Sequence, residues 1–481
     1  MANVFETCSL GSRGRFFCDS HGRALLLRGV NCSGMSKLPS NETCTGERCS
    51  TSFTGRPFPT CDARQHFERL ASWGFSLVRL VVTWEAVQPD DHSSFDEDYL
   101  SYLHDIAAIA RACGLLVLLD SHQDCWSRHS GGSGAPSWTF RIAGLHPPAF
   151  AATGAALMSG YDSASADGET DSGTIWATNY TKFACSTMFT LFWGGEVFAP
   201  NRLYAGENVG IFLRRTYTSA ILEVCRRLQG LIVGVDLINE PHPGLIGLEN
   251  LHAFDQSANL HLGSMPTPLE SMIIADGFCM KVAVYEKTWI VGNGAPTWPL
   301  SFAPTAPRTG VVPSVNVDMM RAWADGVEDV WRQHGVWQLN DDNSISCNHP
   351  YFSVFPPGHG RSGQTVDFIT GQRNCPFPPL RLFIFGVLTR LQIFTIRLLR
   401  RSAAAYETST LTHFLLLNLF LSTARELRGC IWMPSAHMLL IGTISSVCSR
   451  NAGKPICPLM SKPYREAQET SSSTCTLEHL E

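Results

Sequence analysis

Glu240 lies in the segment LINEPHPG, at the end of the apolar run LIVGVDLI, with Asn239 before it and Pro241 after it. A carboxyl fixed at the end of a buried strand and partly desolvated keeps its proton near neutral pH and can donate it to a leaving glycosidic oxygen. The adjacent Asn239 amide suits a sugar hydroxyl, a contact that strengthens in an oxocarbenium-like transition state. A second group lies in DSHQDCWSRHSGGSGAPSW, where His122 and Asp124 alternate on one side of an extended segment and can face one sugar together. The glycines that follow would let backbone approach a ligand closely. Arg79, in SLVRLVVTW, places a guanidinium inside an apolar strand. Such a charge demands a carboxylate partner in the interior, which in a retaining glycosidase can be the nucleophile. An HxD pair at a strand end is also half of a binuclear metal centre, but no HxH, HExxH or aspartate cluster at a later strand end completes one. No metal and no other cofactor is expected.

These residues need a scaffold that ends several strands at one rim. ALLLRGVN, FSLVRLVVTW, LLVLLDSHQD and LIVGVDLINEP read as strands, and ARQHFERLASWG, DEDYLSYLHDIAAIARACG and GIFLRRTYTSAILEVCRRLQG read as the helices between them. In each strand the apolar run gives way at its C-terminal end to polar groups or Trp: Asn31, then Trp84 and Glu85, then Asp120, His122 and Asp124, then Asn239 and Glu240. That is the pattern of an α/β barrel carrying its site on the C-terminal rim. Between about 125 and 205 lies an insertion rich in Gly, Ser and aromatics with little periodicity, read as a lid or cleft wall.

The chain has 481 residues, 37 Lys plus Arg against 42 Asp plus Glu, and 17 Cys. No basic excess is available to grip a phosphate backbone, so nucleic acid is excluded as a principal partner. The scattered cysteines read as buried free thiols, and the N-terminus has no apolar core behind positive charge, which together predict a cytoplasmic setting. No run reads as a membrane span, since RLFIFGVLTRLQIFTIRLLR is broken by Arg390 and Arg397. From residue 377 onward the composition changes, to 11 Lys plus Arg against 6 Glu and no Asp, and strand and helix units become hard to place.

RGVN, SLVRLVVTWEAVQP, LLDSHQDCWSRHSGGSGAPSW, TKFACSTMFTLFWGG and LINEPHPG, followed by GVWQL, HPYFS and TVDF, resemble glycoside hydrolase family 5 in its branch of endoglycoceramidases and fungal glucocerebrosidase or steryl β-glucosidase relatives. The resemblance runs from about residue 15 to about 370. It implies a (β/α)8 TIM barrel of glycosidase type that hydrolyses β-glucosidic bonds of glycolipids with retention, without metal, using two glutamates. By resemblance Glu240 matches the acid/base, Asn239 the neighbouring amide, His122 and Asp124 the sugar-binding pair, Arg79 the supporting arginine below the nucleophile, and Lys37 a sugar-contacting lysine. The partner implied is a glycolipid, with peripheral contact to the membrane that holds it.

The nucleophile is unassigned. The family places it as a glutamate on a later strand ahead of a short Gly-containing turn, and Glu407, Glu426, Glu466, Glu469, Glu478 and Glu481 all lack that context. The sequence therefore divides into a catalytic barrel over 1–376 and an atypical segment over 377–481, the pattern a mis-spliced or frame-shifted ending leaves. As written, such an ending predicts an incomplete barrel with exposed strand edges and little hydrolysis. The alternative function is a catalytically defective, vestigial or glycolipid-binding homologue.

Overall fold

The computed structural model describes residues 11–366 apart from short interruptions, the longest of them 159–175. Its centre is a parallel sheet of strands β1 (Gly29–Cys32), β2 (Leu77–Thr83), β3 (Leu116–His122) and β4 (Gly234–Asp236), in the spatial order β4-β3-β2-β1. The register pairs Asn31 with Arg79, Arg79 with Leu118, and Asp236 with Asp120. All seven residues of β2 are buried, which a strand covered on both faces requires and which its LVRLVVT run provides. The crossovers run through helices α1 (Thr60–Ser72) and α2 (Glu97–Ala112), and helix α3 (Phe183–Phe198) precedes α4 (Val209–Arg227), which leads into β4. Helix α2 begins where the Asp96 carboxylate accepts the Tyr99 N–H at 2.8 Å. It stops just before Gly114, whose φ of 82° continues the chain in the left-handed region.

Strand order and helix positions agree with the sequence pattern; the limits differ. ALLLR does not pair as part of the first strand, and Leu26 in it is 83% exposed. The fourth strand keeps only three residues, because Leu237–Pro241 leave the ladder to form the turn that carries Glu240. The supposed insertion is not loop throughout. Its MFTLFWGG lies in α3, where Met188, Phe189, Leu191, Phe192 and Trp193 are each 0–1% exposed. Periodicity is missing because the helix is apolar all round and buried on every side. Burial of such side chains stabilises by about 1.5–3 kcal/mol each. They pack the core, with Phe189 and Phe192 edge-on to Trp126, and offer no surface to a lipid.

Cys18, Cys32 and Cys225 are buried free thiols. Among the described residues, no helix is long and apolar enough to cross a membrane. The segment YDSASADGETDSG and residues 377–481, including every late glutamate named above, lie outside the described residues.

Candidate active site

The C-terminal ends of the four strands converge on one charged network. Arg79, 8% exposed, donates from Nη2 to Asp120 Oδ1 at 2.8 Å, Asp236 Oδ2 at 2.5 Å and Asn239 Oδ1 at 3.2 Å, and from Nη1 to Asn31 Oδ1 at 3.5 Å. Among the described residues its carboxylate partners are thus the aspartates Asp120 of β3 and Asp236 of β4, and every late glutamate lies outside those residues. The other oxygen of Asp120 faces His122 Nδ1 at 2.8 Å, and Asp124 Oδ2 faces His122 Nε2 at 3.0 Å. Lys37, in the turn after β1, reaches the same Asp124 oxygen at 2.5 Å.

The protonation states follow from these contacts. Burial works against a charge on His122, but the Asp120 and Asp124 carboxylates outweigh it and raise the imidazole above its ordinary value. Both ring nitrogens then donate. Burial alone would raise Asp124, yet its bonds to His122 and Lys37 bring it down to about 2. Asp236 goes the other way, to about 6, through burial and the nearby Asp120 charge, with Arg79 opposing.

Glu240 stands apart from this pairing. Its carboxyl is raised above the usual range, first by burial and then by the Asp124 charge, while His122, Lys37 and Arg79 pull it down. Its backbone has a φ of 41°, a conformation rare for a residue with a side chain and common at functional sites. The turn is clamped from β3's extension: Gln123 Nε2 donates to the Asn239 carbonyl at 2.6 Å and the Glu240 carbonyl at 2.9 Å. Asn239 Nδ2 returns a bond to the Gln123 carbonyl at 3.0 Å. Lys37, His122, Asp124, Asn239 and Glu240 are therefore brought together, with Arg79 beneath them.

Gln123 and Asp236 were missed as site residues by sequence reasoning, and Asp120 was placed on the rim without a role. Gln123 has a signal in hindsight, lying between His122 and Asp124 beyond the apolar run, and Asp236 is an acid inside the fourth apolar run. Among the glycines after Trp126, Gly132 lets its loop pack against the site. A Cβ on Gly132 would lie 1.7 Å from the Asp124 carbonyl oxygen, and the bonds between Asp124 and Ser133, at 2.8 and 2.9 Å, hold that loop against the site. Glu85, 3% exposed at the end of β2, is bound by Arg128 Nε at 2.9 Å.

Residues 19–162 match the family model of cellulase, glycosyl hydrolase family 5. A glucosylceramidase of Rhizopus delemar is 38% identical over 368 residues, covering 74% of this chain and 50% of that protein. An ergosteryl-beta-glucosidase of Saccharomyces cerevisiae is 32% identical over 398 residues, covering 74% and 51%. Among solved structures, Cryptococcus neoformans sterylglucosidase 1 superposes with a TM-score of 0.68 at 27% identity, covering 79% of this chain and 54% of its own. The chain spans about half the length of the curated relatives it matches.

Proposed function

The chain belongs with glycosyl hydrolase family 5 and takes a (β/α)8 barrel fold of glycosidase type, and we propose that it hydrolyses, with retention, the β-glucosidic bond of a glycolipid of the steryl glucoside or glucosylceramide type. The observation that carries this reading is Glu240: a half-buried carboxyl whose pKa burial and the Asp124 charge raise above the ordinary range, on a clamped turn, beside carboxylates paired with cations. In the first step the Glu240 proton passes to the glycosidic oxygen as its bond to the anomeric carbon breaks, and a second carboxylate bonds that carbon. In the second step Glu240 takes a proton from water, which displaces that carboxylate. Asn239, His122, Asp124 and Lys37 hold sugar hydroxyls, and Arg79 fixes the floor of the site. Asp120, Asp124, Asp236 and Glu85 are each bound to a cation, and all four precede Glu240 in the chain, whereas the resemblance puts the nucleophile on a later strand. The nucleophile is a further carboxylate, one that an activated 2-fluoroglucoside would label.

The names of the relatives support a glycolipid substrate and set hydrolysis ahead of the non-catalytic alternative. Peripheral contact with the membrane holding that lipid is supported by Val317, Met319 and Met320, three exposed apolar side chains on one short segment. The buried free thiols support a reducing, cytoplasmic setting. Glucose release from steryl glucoside and from glucosylceramide in mixed micelles tests the substrate class. Release from one or both is expected, and tight binding without release would favour the glycolipid-binding alternative.

Lys37 supplies a pH test. As an acid Glu240 works only when protonated, so the basic limb of kcat/KM follows its pKa. Lys37 pulls that pKa down, and Asp124, at about 2 with both partners, keeps its bond to His122 when Lys37 is lost. Lys37→Met should therefore move the basic limb to higher pH as well as raise KM. A limb that stays in place or moves down would place Lys37 outside the field of the acid.

A further inference from the structure

Apart from the glycoside site, two histidines and a cysteine from two distant chain segments converge. His252 follows the fully buried Leu251 in the loop after the Glu240 turn. Cys347 ends strand β6 (Ile345–Cys347), which pairs with β5 (Trp337–Leu339), and His349 opens the short helical turn His349–Phe352. Cys347 Sγ lies 3.5 Å from His349 Nε2 and 4.0 Å from His252 Nε2, and the three ligand atoms fall within 4.8 Å of one another. Tetrahedral zinc, with Zn–S of about 2.3 Å and Zn–N of about 2.0–2.1 Å, sets the sulfur roughly 3.6 Å from each nitrogen. Small side-chain rotations therefore complete the geometry.

The backbone around the three residues is anchored in the core. Asn348 N–H donates to the Val336 carbonyl at 2.8 Å, and Gly247 N–H donates to the carbonyl of the buried Phe352 at 2.8 Å, joining the two segments beside the cluster. Two imidazoles and a thiolate are the donor set of a borderline-soft divalent ion, and calcium or magnesium, which take oxygen ligands, are poorly served. We propose that His252, Cys347 and His349 form a site for zinc or a similar divalent transition-metal ion, which ties the loop after the Glu240 turn to the β5–β6 hairpin. On binding, the Cys347 thiol gives its proton to solvent and the thiolate and two neutral imidazoles each donate an electron pair, leaving one position for water. The sequence reading had no place for this site, since the two histidines are 97 positions apart.

The probe is Co²⁺ added to chelator-treated full-length protein. One equivalent should produce tetrahedral d–d bands and a thiolate-to-cobalt charge-transfer band, both removed by Zn²⁺. Cys347→Ser should lose the charge-transfer band, and the exposed His252→Ala should weaken binding by at least about tenfold while leaving the fold intact. Cys61→Ser, at an exposed cysteine elsewhere, should bind as the parent does. Absence of a one-to-one cobalt species, or unchanged spectra and affinity in both Cys347→Ser and His252→Ala, would overturn the site.

Discussion

Glu240→Gln is expected to lower kcat on a steryl glucoside by about 10²–10⁴-fold, the range that a positioned general acid contributes. A β-glucoside with a dinitrophenol leaving group should lose far less, because that leaving group departs without a proton. The substitution is nearly isosteric, and Gln123 holds the turn through the carbonyls of residues 239 and 240, so backbone at φ 41° should persist. The loss is thus of the proton and not of the site. In free energy it amounts to roughly 2.7–5.5 kcal/mol of transition-state stabilisation. Steady-state rates on the two substrates check it, and equal losses on both would mean that the variant damages binding or folding instead.

Arg79→Leu carries the largest expected stability cost, about 3–5 kcal/mol, because it leaves Asp120 and Asp236 buried without their cation. Asp120 is 0% exposed and must share its remaining oxygen with His122 alone. Arg79→Lys should recover only part of the loss, since the three bonds at Nη2 depend on where the planar guanidinium places that atom, and an ammonium has no second nitrogen to reach Asn31. Urea unfolding of the parent and both variants measures this. A cost below about 1 kcal/mol for Arg79→Leu would mean that the pairs are solvated and contribute as surface pairs do.

The legible parts of this molecule are those in which one residue type has one cause. Apolar runs closed by polar residues located β2 and β3 because a strand buried on both faces has no other composition available. Arg79 announced buried carboxylates through the cost of its own charge, although their identity as Asp120 and Asp236 depended on register. Glu240 was legible through the strand before it and the Asn and Pro beside it. The sequence did not reveal α3, because a helix with no polar face has no period to read. Gln123 also stayed hidden, because its role depends on two carbonyls more than a hundred residues away, and the His252, Cys347 and His349 cluster for the same reason.

The central claim is retaining hydrolysis of a glycolipid β-glucoside with Glu240 as acid and base. Its most direct test is ¹H NMR of the glucose first formed from steryl glucoside by this chain, read before mutarotation. β-Glucose appearing first is the result expected. α-Glucose first would show inversion by direct attack of water, and intact glycolipid that binds without releasing glucose would show a non-catalytic chain; either would contradict the account.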